Sequence, residues 1–216
     1  MHKRAVRSAV GLFLLFAATT PIRAEEALKD IVLGDCLLIG PVGRSGRAPL
    51  HRDALEAEIV AGRWTAPKAG DTVDVPGGPT QTWQEAKAGA DGSINNAALA
   101  GGYLYWRVTL DAPRVLLLDA AGHSSVEVNG EPRTGDPYEN GMVRLPVALK
   151  QGANDLLFHC GRGHLRARLT APPAAAFLDP RDTTLPDFRA GEEGRTAWAA
   201  LLLVNSDTRP LENVAL

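Results

Sequence analysis

From Tyr103 to Thr170 the chain repeats with a period of two. In "YLYWRVTL" (103–110), Leu104, Trp106, Val108 and Leu110 share one face, and Tyr105, Arg107 and Thr109 share the other. Successive side chains of a strand point to opposite sides, so this pattern predicts strands with one buried face. "SVEVNG" places Val126 and Val128 inward and Glu127 outward, and "MVRLPVAL" and "NDLLFHC" repeat the alternation. "HLRARL" sets Leu165, Ala167 and Leu169 against Arg166 and Arg168. "RVLLLDA" (114–120) is a continuous apolar run instead, as expected of a central strand buried on both faces. Turn signals separate the runs: Ala112-Pro113, Gly122, Asn129-Gly130, Gly135-Asp136-Pro137, Gly152 and Gly161-Arg162-Gly163. Short strands punctuated in this way predict an antiparallel sandwich or barrel.

The flanking segments are less regular. "DIVLGDCLLIGPV" (30–42) reads as one strand interrupted by Gly34 and ended by Pro41, and "RDALEAEIVAG" (52–62) as a short helix with Leu55, Ile59 and Val60 on one stripe. "PTQTWQEA" (79–86) reads as a short strand around Trp83, and residues 87–102, small and polar, as a surface loop. Beyond Leu169 the period is lost and Pro172, Pro173, Pro180 and Pro186 appear, so 171–195 reads as an extended linker. "TAWAALLLVN" (196–205) is a fresh apolar strand, followed by a turn and the start of another. The expectation is therefore a sandwich over 28–170, a linker, and at 196–216 the first part of a second β domain that continues past Leu216.

The N-terminus changes the charge balance. "MHKRAVRS" is basic, "AVGLFLLFAA" (9–18) is apolar but too short to cross a bilayer as a helix, and Pro21 and a small Ala24 follow. This is the pattern of a signal peptide over 1–24, which predicts an exported protein, periplasmic or extracellular. It carries four of the 23 basic residues and none of the 25 acidic ones, so cleavage leaves 19 against 25, a formal charge of −6. A mildly acidic chain without a basic cluster is a poor nucleic-acid binder, and no other apolar run approaches a membrane span. The two cysteines, Cys36 and Cys160, would have an oxidising compartment, which permits a disulfide; the alternative is two thiols packed as small hydrophobes.

Two turn motifs carry further information. Asn129-Gly130 suits a type I′ hairpin turn, and in "LKQGANDLLF" Gly152 allows a tight turn while Asn154 can hydrogen-bond the local backbone. A strand ending in V-N-G, an edge segment, and then L-x-x-G-x-N-x-L-L-F together resemble the galactose-binding-domain-like jelly roll. The matching pieces are "YLYWRVTL", "VEVNGEP", "LPVALKQGANDLLF" and "LRARL", within 30–170. The resemblance implies a jelly-roll sandwich of the kind found as an accessory module in secreted hydrolases; a fibronectin-like sandwich is the alternative. "LDAAGHSSVEVNGEPRTGDPYENG" with a downstream "DTTLPD" also resembles the N-terminal region of large secreted bacterial proteins bearing a prolyl-oligopeptidase-type α/β-hydrolase domain. That domain would be the partner of this one.

The chain itself shows no convincing catalytic set. "GRSG" (43–46) lacks the spacing of a G-x-S-x-G elbow, and Asp119, His123 and Ser124 or Ser125 are near in sequence without being thereby a triad. Cys160 and His164 make half of a zinc spacing, but Cys36 and His51 make a poor second half. The loop "TGDPYENG" (134–141) is the best candidate for ligand binding. Asp136, Glu139 and Asn140 are oxygen ligands of the sort calcium uses, and Tyr138 could stack on a sugar. Jelly rolls of this resemblance often hold calcium, but with more acidic ligands than these; no cofactor is expected. The function expected is a non-catalytic accessory or binding module of an exported hydrolase, contacting glycan or peptide. The rival is a stand-alone carbohydrate-binding lectin.

Overall fold

The computed structural model describes residues 29–43, 53–75, 77–187, 190–191, 194 and 196–212. The expected leader, 1–24, lies outside the described residues, as do 44–52 and the last four positions of the expected second domain. The strands are β1 (Ile31–Val32), β2 (Asp35–Ile39), β3 (Thr72–Val73), β4 (Gln81–Thr82), β5 (Gln84–Lys87), β6 (Ser93–Asn95), β7 (Tyr103–Leu110) and β8 (Arg114–Ala121). They continue with β9 (His123–Val128), β10 (Glu131–Thr134), β11 (Arg144–Leu149), β12 (Gly152–Cys160), β13 (His164–Thr170), β14 (Ala176–Thr184) and β15 (Ala200–Asn205). One short helix, α1 (Ala54–Val60), follows Asp53, whose carboxylate accepts the N–H groups of Leu55 and Glu56.

The fold is an all-β antiparallel sandwich. One sheet runs β10-β9-β12-β7-β2-β5; the other runs β13-β8-β11, with β1 and β6 both paired to β13 at its edge. The alternation read from the sequence places the core where expected. Leu104, Trp106, Val108, Leu110, Val126, Val128, Leu156 and Phe158 from the first sheet meet Leu116, Leu118, Val147, Leu165, Ala167 and Leu169 from the second. Burying so many branched and aromatic side chains is the main stabilising term for such a domain. The continuous run in β8 is explained as well, since Leu117, Asp119 and Ala121, on its face away from the core, are also buried.

Three expectations are corrected. Residues 30–42 are two strands: β1 pairs with β13, while β2 pairs with β5 and β7 in the opposite sheet. Gly34 marks the crossing, where its carbonyl accepts the Ala88 N–H and the Leu33 N–H donates to Ala167. Residues 87–102 are not merely a surface loop. They contain β6 and a 3-10 turn at Ala97–Leu99, which insert Ile94 and Leu99 into the core. Two apolar anchors among small residues give no period to read.

The third correction concerns the linker. Residues 176–184 are β14, and they supply the partner of the apolar strand β15, pairing Ala176 with Asn205 through Asp179 with Leu202. Register then shifts before Thr184 meets Ala200. Pro180 sits in this break, where the absence of an N–H costs no ladder hydrogen bond. The hairpin is tied at its base by Ser206, whose N–H donates to the Ala175 carbonyl and whose hydroxyl donates to that of Ala174.

Candidate functional site

The two turn motifs are joined to each other. Asn129 (φ 52°) and Gly130 (φ 83°) form the left-handed pair that the β9–β10 hairpin turn requires. The Asn129 side chain then reaches across to β12: its Nδ2 donates to Asn154 Oδ1 at 2.9 Å, and its Oδ1 accepts the Asp155 N–H at 3.0 Å. Asn154 is fully buried. Its Oδ1 also accepts the Lys150 N–H, and its Nδ2 donates to the Lys150 and Gly152 carbonyls. Gly152 has φ 85° at the second turn. These four residues are structural, and one amide–amide contact clamps both hairpins.

The loop 135–141 lies at one end of the sandwich. It approaches β9 so closely that a Cβ on Gly135 would collide with the backbone of His123 and Ser124. Asp136 turns inward and is buried; its Oδ1 accepts the Asn140 N–H at 3.0 Å and its Oδ2 the Gly141 N–H at 2.7 Å. It closes the loop, and Asn140 contributes to that closure through its backbone. The two are therefore not side-by-side oxygen ligands at the surface. Glu139 has φ 58°, and its Oε1 lies 2.6 Å from His164 Nε2 in β13. Tyr138 points outward, 67% exposed, with the Arg162 guanidinium 4.7 Å from its ring centroid. Arg162, in the β12–β13 turn, completes this end, and sequence spacing gave no signal for its place beside Tyr138.

Beneath the loop, His123 is buried against Phe158 in an edge-to-face contact at 5.3 Å, and neither ring nitrogen has a hydrogen-bond partner. Burial lowers its pKa from 6.5 to about 4, against a smaller opposing pull from Asp136. The imagined triad is not assembled. Asp119 is held by Arg168 at 2.9 Å with Arg166 at 3.7 Å, and the Ser124 hydroxyl donates to the His159 carbonyl. Among the described residues no group of three or more His, Cys, Asp or Glu side chains is arranged to hold a metal ion.

Cys36 and Cys160 are free thiols in the same core and form no disulfide. Burial raises Cys36 to about 11 and Cys160 to about 12, the latter with a contribution from Cys36. Both therefore stay protonated and pack as small hydrophobes.

A second surface lies on the outer face of the larger sheet. Tyr105, Leu157 and Glu127 form one row across β7, β12 and β9, and Tyr103, His159 and Ser125 form the next. The Tyr105 hydroxyl donates to Asp155, which also accepts from Arg107 at 2.9 Å, and Trp64 meets Tyr105 edge-on at 6.2 Å. Beside them an open groove of about 710 Å³ is lined by Asp35, Leu37, Glu85, Lys87 and Tyr105. Period-two alternation puts Tyr103, Tyr105 and Arg107 on one face, but only the tertiary fold brings Trp64 over it. Trp83 and Trp106 are core residues, as the pattern allowed.

The class defined by this geometry is an antiparallel β-sandwich with an end loop built around Asp136 and an appended β-hairpin. Compared with models of protein families, with curated proteins and with solved structures, the chain matches none.

Proposed function

We propose that the chain is a non-catalytic accessory module of an exported hydrolase, a galactose-binding-like jelly roll whose appended hairpin is covered by a neighbouring domain. The observation that carries this reading is the β14–β15 hairpin. Leu178, Leu201, Leu202 and Leu203 are all exposed along it, and Trp198, just before β15, is 89% exposed. Leu178, Leu203 and Leu201 share one face of this ribbon; exposed apolar side chains grouped on one face suit an interaction site, and a two-stranded ribbon is marginal on its own in water.

The test is an immunoblot of periplasmic and secreted fractions of the source organism with an antibody raised against the sandwich. The expected result is an exported polypeptide well above 22.9 kDa, with hydrolase activity co-purifying. A cytoplasmic band, or an exported one at or below that mass without activity, overturns the proposal. The exposed Tyr138 favours a second reading, a stand-alone lectin, and the small exported band would support it.

A further inference from the structure

From the arrangement at the end loop we infer that Tyr138 and Arg162 form a binding site for an acidic polysaccharide chain carrying uronate carboxylates. Three observations converge. First, the Arg162 guanidinium carbon lies 4.7 Å from the Tyr138 ring centroid, a cation–π contact that places its charge beside the exposed ring. Second, Arg162 forms no ion pair among the described residues, although two carboxylates sit in the adjoining loop. Third, both carboxylates are engaged elsewhere. Asp136 accepts two backbone N–H groups inside the loop, and the left-handed backbone at Glu139 sends its side chain to His164.

An arginine placed beside an aromatic ring and without an internal carboxylate partner is suited to a planar external carboxylate, which its fork can bind through two parallel hydrogen bonds. The exposed side of Tyr138 offers a flat apolar surface of the kind a pyranose ring covers. Because Arg162 occupies one side of that ring, one sugar cannot use both features. The occupant is therefore a chain in which one residue stacks on Tyr138 and a neighbour's carboxylate reaches Arg162. The negative charges of Asp136 and Glu139 oppose the anion at longer range, so binding is weak and sensitive to salt.

The experiment titrates the full chain with a galacturonate trimer, its methyl ester, a neutral galactose trimer and galacturonate monomer, in low salt, followed by NMR. The acidic trimer binds with Kd of ~1 mM, and the ester and neutral trimer ~10-fold more weakly, as does the monomer. Arg162→Gln brings the acidic trimer down to the affinity of the ester, while Tyr138→Ala weakens both trimers. Both positions are exposed, and unchanged circular dichroism confirms that the variants fold. Equal binding of acidic and neutral trimers, an unaffected Arg162→Gln variant, or no binding of the acidic trimer at ~10 mM overturns the site. The readout is direct binding to this chain, so its failure is distinct from failure of the hydrolase-module reading, which is judged by the size, location and activity of the native polypeptide.

Discussion

Replacing Asn154 with alanine removes the fully buried amide that holds Lys150, Gly152 and Asn129 together, and takes the partners from part-buried backbone groups of Lys150 and Gly152. The expected cost is ~2–3 kcal/mol in urea unfolding, well above a surface substitution. His123 makes a different prediction. Below pH 6.5 the unfolded chain binds a proton at this imidazole, while the folded chain does not until about pH 4. Stability therefore falls as pH falls through this window, by ~3 kcal/mol at its lower end. In His123→Leu the loss between pH 7 and pH 4.5 should be smaller than in the parent by most of that amount. Equal losses in both proteins would show that the buried imidazole does not set the acid sensitivity.

At the level of elements, strands with one buried face were the legible part. The alternation in β7, β9 and β13 identified their inward residues one by one, because burial on a single side leaves a period in the sequence. The helix α1 was legible too, from the stripe Leu55, Ile59 and Val60, although Val60 is exposed at its end. Elements built from two or three residues left no period, so β3 and β6 could not be read and β1 was not told apart from β2. The β14 strand was hidden by Pro172, Pro173, Pro180 and Pro186, whose linker-like composition masked a segment that pairs at its two ends. The end loop was half legible. Tyr138 lies exposed beside Arg162 and Glu139 turns to His164 of β13, but Asp136 is consumed in closing the loop, and Arg162 arrives from a distant strand pair. The hairpin carries its own test: Leu201→Ser with Leu203→Ser should reduce binding of a hydrophobic dye. Because these side chains lie outside the two core clusters, the sandwich's unfolding free energy should change by less than ~0.5 kcal/mol. A larger loss would make the hairpin part of the domain's own core.

The whole molecule then divides into a well-buried sandwich and a ribbon whose leucines Leu178, Leu201, Leu202 and Leu203 are exposed while Val204 is buried. Its cysteines, buried and protonated, contribute to the first part as packing, so the sandwich holds without a covalent staple. The ribbon is the part whose surroundings the proposed function specifies. Hydrogen exchange tests that proposal directly, by comparing the isolated chain with the longer exported polypeptide that the proposal calls for. Amides of Ala176–Thr184 and Ala200–Asn205 should exchange rapidly in the isolated chain, because a two-stranded ribbon opens locally far more easily than a core strand. In the longer polypeptide the same amides should be protected at least ~100-fold more strongly, while those of β7, β8 and β12 are protected alike in both. Equal exchange of the ribbon in the two samples would contradict the account, since nothing would then cover the hairpin and the chain would not be acting as a docked module.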